Sequence, residues 1–304
     1  MPLLSWRFRR WPSLFSRNVS RPETGLPLLA IVVPTDNPED PRFRVEPGQG
    51  YDGVVLLRFP DGGTCTGTLL VTGRHILTAA HCFEVRQQTG VPNLTPSPAD
   101  VTVYFDLRQG REVVRVARAA RSVTVHPEWD NTEDYNNDLA IIELAELAPL
   151  TAERYPLYRR QDEVGERITR VGYGARGTGR QGEDPQDPTT VKRVGMNRYD
   201  TLGETLNQPP MSASIRPGTQ LVYDFDNGLR RHDALGVEYG LYDLGVVEQA
   251  PLPGRAWAAQ GPRLGYEIML QEVGTSTGDS GGPSFLRGRI VGVASNGFSP
   301  KTPG

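Results

Sequence analysis

Hydrophobic positions in this chain come in short runs rich in Val, Ile, Leu and Thr, each soon broken by glycine, proline or charged residues. Runs of that length and composition fit strands better than helices. Val54 to Arg58, Thr68 to Val71, Val101 to Phe105, Val113 to Val116 and Leu139 to Leu144 are the clearest strands, and a second strand-rich stretch is expected to start near Arg167. Another apolar run extends from Leu69 to Ala80, interrupted at Thr72, Gly73 and Arg74. The 34 glycines and 26 prolines favour many turns over long helices. The pattern predicts an all-β fold.

A length of 304 residues with 37% apolar positions suffices for one large core or two small ones. A formal charge of −3 gives no electrostatic reason to expect a nucleic acid as partner. No apolar stretch approaches the length of a membrane span. The front end is basic: Arg7, Arg9, Arg10, Arg17 and Arg21 occur before the first acidic residue, Glu23. Leu26 to Val33 is short and late for the apolar core of a secretory signal, so the start reads either as an organellar transit segment or as a disordered leader. Pro34 to Pro47, rich in proline and charge, reads as a linker.

The chemistry of the chain concentrates at Gly278 to Pro283, GDSGGP, where Ser280 stands among glycines. A hydroxyl is a poor nucleophile at neutral pH and needs a base within hydrogen-bond reach, together with donors for the oxyanion that its attack creates. His81, in TAAHC (Thr78 to Cys82), is the candidate base. Asp138, in NNDLAII (Asn136 to Ile142), is the candidate orienter. A carboxylate holding one imidazole N–H fixes the tautomer whose other nitrogen faces the serine unprotonated. The chain order His, Asp, Ser distinguishes this set from triads assembled in other orders.

Together the three motifs resemble the chymotrypsin/trypsin-like serine endopeptidases. CTGTLL (Cys65 to Leu70), VHPEWD (Val125 to Asp130) and VGYG (Val171 to Gly174) agree with that family at their places in the order. The resemblance implies two six-stranded antiparallel Greek-key barrels with the active site in the cleft between them. A basic leader and linker, a candidate pro-segment, would cover residues 1–44, and the protease domain 45–304, with barrels over about 45–150 and 160–304. It also implies a disulfide between Cys65 and Cys82, worth roughly 3 kcal/mol in the chain-entropy model for a loop of about 15 residues. Such a bond indicates an oxidising compartment, extracellular or periplasmic; the alternative is two buried free thiols.

By the same resemblance the N–H groups of Gly278 and Ser280 form the oxyanion hole, where glycine accepts the sharp turn that aims both into one small volume. Gly274, Thr275, Ser295 and Gly297 fall at the primary specificity pocket. No carboxylate stands at Gly274, so a preference for Arg or Lys is unsupported and an apolar or small side chain is expected. Asp279 matches the acid that pairs, in the family, with an N-terminus freed by cleavage. Arg44 followed by Val45, Glu46, Pro47 and Gly48 places that expected cleavage near Arg44.

The separation of Asp138 from Ser280 is long for the family, and the excess lies at about residues 177–265, including the polar stretch GRQGEDPQDP. It is either a loop that restricts substrates or a solvated excursion. YDFDNG (Tyr223 to Gly228) reads as a turn between strands, lacking the terminal glutamate of a calcium loop. His75, His126 and His232 form no zinc-like cluster, and neither a metal nor a cofactor is expected. The chain reaches Gly304 soon after Phe298, so the second barrel looks shortened: either the insertion replaces the family's last elements or the reading frame is incomplete. The expected function is an endopeptidase acting on protein or peptide substrates through an acyl-enzyme. The competing class is a non-catalytic binding module on the same scaffold, which a missing triad residue would betray and none is missing. Oligomeric state leaves no mark in the sequence.

Overall fold

The computed structural model describes residues 31–83, 100–129, 134–179, 181–184, 187, 190–225, 230, 233–243, 247–251, 266–270, 272–295 and 297. The leader 1–30, His232, and residues 226–228 of YDFDNG lie outside the described residues, as do Asp130 and Phe298. A short strand, β1 (Ile31–Val33), precedes six strands that close into a barrel: β2 (Val54–Arg58), β3 (Thr64–Leu69), β4 (His75–Thr78), β5 (Thr102–Gln109), β6 (Glu112–Val125) and β7 (Ala140–Leu144), in the order β2-β3-β4-β7-β6-β5.

Alternation builds this barrel. Along β7, Ala140, Ile142 and Leu144 are buried while Ile141 is exposed, the period-two pattern of a strand with one wet face. Val103, Phe105 and Leu107 of β5 point into the same core as Val55 and Leu57 of β2 and Ile76 of β4. Val54, just before Val55, faces outward with Leu77 and packs instead on Val171, Phe285, Ile290 and Val293 of the second half. That is why β2 reads as a continuous apolar run: both of its faces are covered.

The second half contains β8 (Arg167–Gly172), β9 (Arg176–Thr178), β10 (Gly182–Glu183), β11 (Arg193–Arg198), β12 (Thr201–Leu202), β13 (Leu221–Val222), one helix α1 (Ala234–Tyr239), β14 (Val247–Pro251), β15 (Tyr266–Leu270), β16 (Pro283–Leu286) and β17 (Arg289–Val293). Among the described residues these do not close into a second six-stranded barrel. The main sheet has four strands in the order β11-β8-β16-β17, with β12-β13 and β14-β15 as separate pairs. The overall class is nevertheless mostly β, as expected.

The long insertion covers one face of this sheet. Leu206, Ile215, Leu221, Tyr223 and Leu235 come from it and pack on Ile168, Leu286 and Val291 of the main sheet. This part of the insertion covers the sheet face as core and is not a solvated excursion. The preceding segment is similarly built in. β1 pairs in parallel with β9, Phe43 packs with Val33 and Val273, and Glu39 reaches Arg176 at 2.9 Å and Arg193 at 3.6 Å. The stretch read as a linker is therefore docked over its described length.

Polar groups also join the halves. Tyr173, just after β8, donates to Asp106 Oδ2 of β5 at 2.9 Å, and Arg115 of β6 grips the same carboxylate through Nε at 2.6 Å and Nη2 at 2.8 Å. Lys192 donates to the Tyr51 carbonyl at 2.7 Å, and burial lowers its pKa to about 8.

Candidate active site

His81 opens a one-turn 3-10 helix directly after β4, and Asp138 lies two residues before β7, the barrel neighbour of β4. The pairing of these strands sets the two side chains together. Asp138 Oδ2 lies 2.7 Å from His81 Nδ1, and Asp138 Oδ1 accepts from the His81 backbone N–H at 2.8 Å. The carboxylate is only 1% exposed and the imidazole about one-fifth exposed, so Nδ1 is held from the interior while the ring keeps access to solvent. Ser295 Oγ donates to Asp138 Oδ2 from the far side. Tyr135 meets the imidazole edge-on at 5.8 Å between ring centroids and is itself met at a tilt by Trp129 at 5.7 Å.

The loop carrying Asp138 is unusually polar for its burial, and its anchors come from the insertion. Asn136 Nδ2 donates to the Ser214 carbonyl at 3.1 Å and its Oδ1 accepts from Arg216 N at 2.8 Å. Asp134 Oδ1 accepts from Ser214 N at 3.1 Å, and its carbonyl accepts from Gln220 Nε2 at 2.8 Å. Tyr135 and Asn137 adopt left-handed φ values of 50° and 60°, a conformation tolerated by Asn and costly for Tyr. The segment 214–220 thus acts as a buttress for the candidate orienter.

Ser280 belongs to the second half, and its loop is fastened to the first. Its carbonyl accepts from Thr66 N of β3 at 2.8 Å, and Thr66 Oγ1 donates to the Gly278 carbonyl at 2.8 Å while accepting from Tyr173 N at 3.0 Å. The disulfide between Cys65 and Cys82, absent from neither the expectation nor the fold, ties β3 to the residue after His81. Cys82 Sγ lies 3.8 Å from the Ser280 carbonyl oxygen. Ser280 and His81 are both half-buried, and the Cys82 contact puts the Ser280 backbone beside the residue that follows His81. Gly281 makes the docking possible: its φ is +79°, and a Cβ there would stand 2.0 Å from Thr78 Oγ1 and 2.4 Å from the Thr66 carbonyl.

Asp279 points inward. Gly174 N donates to its Oδ1 at 2.8 Å, and Ser276 donates to its Oδ2 through N at 2.9 Å and through Oγ at 3.1 Å. Burial pushes this carboxyl up to about 6, opposed by the bonds from Gly174 and Ser276 and by the charge of Arg170. Gly174 is required beside it, because a Cβ would fall 2.4 Å from the Asp279 carboxyl. At the expected cleavage point, Val45 is buried and its N–H donates to the Lys192 carbonyl at 3.0 Å, with Arg44 bridged to Arg193.

Of the residues expected at the specificity pocket, Gly274 and Ser295 are buried and Thr275 and Gly297 are half-buried. Thr275 Oγ1 lies 3.5 Å from the Tyr223 hydroxyl. His75 Nδ1, at the start of β4, lies 2.8 Å from Thr72 Oγ1, and His126 Nδ1 accepts from Glu128 N at 3.2 Å. Thr66, Ser276 and Arg170 escaped the sequence reading. Thr66 stands inside CTGTLL and Ser276 four residues before Ser280, where a polar residue buried between small ones is the only signal.

The trypsin family model matches residues 44–214 of the chain. Among curated proteins, a venom serine protease of Polistes dominula is 25% identical over 126 residues, covering 40% of this chain and 43% of that protein. Chymotrypsin-C of Rattus norvegicus is 35% identical over 92 residues, 29% of each. The chain thus spans less than half the length of these relatives. Among solved structures, neuropsin, a serine protease expressed in the limbic system of mouse brain, superposes with a TM-score of 0.51 at 19% identity over 86% of this chain and 89% of that one, a likeness of fold.

Proposed function

The chain belongs to the trypsin family of serine proteases, and from that premise we propose that it is an endopeptidase working through Ser280, His81 and Asp138. Ser280 Oγ attacks the scissile carbonyl carbon as His81 Nε2 takes its proton. The resulting imidazolium returns that proton to the leaving amine, and water then hydrolyses the acyl-enzyme by the same relay. Asp138 keeps the imidazole in the tautomer with Nδ1 protonated. The N–H groups of Gly278 and Ser280 receive the oxyanion, a donor type typically worth about a hundred- to a thousandfold in rate.

The observation that carries this reading is the two-point hold of Asp138 on His81, through the ring nitrogen at 2.7 Å and the backbone at 2.8 Å. A merely structural histidine needs no such buried carboxylate behind a solvent-facing ring. Activation by cleavage near Arg44 would require Asp279 to exchange its bonds from Gly174 and Ser276 for the freed N-terminus. The disulfide favours an extracellular or periplasmic setting. Hydrolysis of a denatured protein substrate tests the proposal: His81→Ala and Ser280→Ala are each expected to abolish it, and normal turnover by either folded variant contradicts it.

A further inference from the structure

Arg170 of β8 is 3% exposed, yet its Nη1 has no hydrogen-bond partner among the described residues. A guanidinium taken out of water without an acceptor costs several kcal/mol. What compensates it is indirect. Its Cζ lies 4.6 Å from the centroid of the Tyr223 ring, a cation–π contact. The nearby Asp279 supplies opposite charge through space, but both its oxygens already accept from Gly174 and Ser276. The fork of Arg170 is left with donor capacity.

Its surroundings are rich in hydroxyls. Arg170 stands opposite Ser284 in the β8–β16 ladder, and the Ser284 and Tyr199 hydroxyls face each other there, both buried and short of a full hydrogen bond. Tyr223, which lies against the guanidinium, reaches Thr275 Oγ1 at 3.5 Å. Thr275 adjoins Gly274 in the chain, at the position expected for the pocket base. One buried cation with a donor that has no partner among the described residues, set among buried hydroxyls, suits an oxyanion group better than an aliphatic side chain.

Resting on the endopeptidase reading, we propose that Arg170 determines specificity, receiving the carboxylate of a glutamate or aspartate side chain immediately before the scissile bond, with Tyr223 and Thr275 shaping the entry. The small or apolar preference read from Gly274 alone gives way to an acidic one, because the deciding residue comes from β8 rather than from the loop before Ser280.

Binding separates this from the chemistry. In the Ser280→Ala chain, an acetylated peptide ending in Glu is expected to bind about ten- to a hundredfold tighter than its Gln counterpart by calorimetry, the range for a hydrogen bond to a charged group. Adding Arg170→Gln is expected to erase the difference while the Gln peptide keeps its affinity. Equal binding of the two peptides, or binding of neither by the folded chain, overturns the proposal. Should Arg170→Gln fail to fold, the ratio of Glu to Gln peptide cleavage by the unaltered chain decides in the same way. Fluorophosphonate labelling of Ser280 reads the triad alone, so an unlabelled chain that still discriminates the peptides would remove the enzyme and keep the pocket.

Discussion

In the first half, six strands between Val54 and Leu144 close on themselves around side chains that alternate inward and outward. In the second, a four-stranded sheet is covered by residues from a segment whose own strands, β12 and β13, are two residues long. Both halves hold a buried core and both present catalytic candidates at the seam. They differ in where the core comes from. The barrel draws it from strands whose partners are mostly near in sequence, whereas the sheet gathers single apolar side chains from Tyr158 through Val291. A site split across two such halves depends on the fastening between them, here Thr66, Gly281 and the contact of Cys82 Sγ with the Ser280 carbonyl.

The largest effect that would break this comparison is on turnover. His81→Ala in the barrel and Ser280→Ala in the second half are each expected to lose on the order of a millionfold in kcat, with Asp138→Asn losing on the order of ten thousandfold, as in proteases dissected that way. Each variant should unfold in urea like the parent. If only one half's variant lost activity, the halves would not share a site.

Core truncation comes next. Ile142→Ala in the barrel and Leu221→Ala in the insertion should both destabilise the chain by about 2–5 kcal/mol in urea denaturation. A change below about 0.5 kcal/mol for Leu221→Ala would return the insertion to the status of a surface excursion. Reducing the single disulfide should cost roughly 3 kcal/mol, and a denaturation midpoint unmoved by reductant would show that the bond does not brace the barrel.

These contrasts follow what could be read from the residues. Val54 to Arg58 was legible to the residue because its apolar run has sharp ends. β6 extends to Val125, far past the expected Val116, because its second part carries Arg118 and Arg121 among small residues, where long side chains lie along the surface and mask the alternation. β3 begins at Thr64 rather than Thr68, since its threonines and Gly67 are buried without looking apolar. The insertion resisted for a related reason: Leu206, Ile215 and Leu235 stand singly among Gly, Pro and polar residues, with no period to follow. At the candidate site, motifs brought out His81, Asp138 and Ser280, but nothing local to Arg170 or Asn136 announces what they meet. Their neighbours lie on other elements.

A pH dependence sharpens the insertion's side of the comparison. Burial, then Asp224 and the hydrogen bond with Asp243, push Asp200 up to about 10 from an ordinary 3.8. The folded chain keeps a proton that the unfolded chain releases. This contribution to stability is therefore fully present below about pH 4 and is lost as pH rises toward 10. Asp200→Asn should flatten the fall in urea stability between about pH 6 and 9; identical slopes in parent and variant would remove Asp200 as its cause.

The most direct test of the shared site is the intact mass of the purified chain after treatment with a fluorophosphonate, which needs an activated serine and little pocket specificity. The expected result is one adduct per chain, absent from Ser280→Ala. A folded chain that takes up no adduct would contradict it.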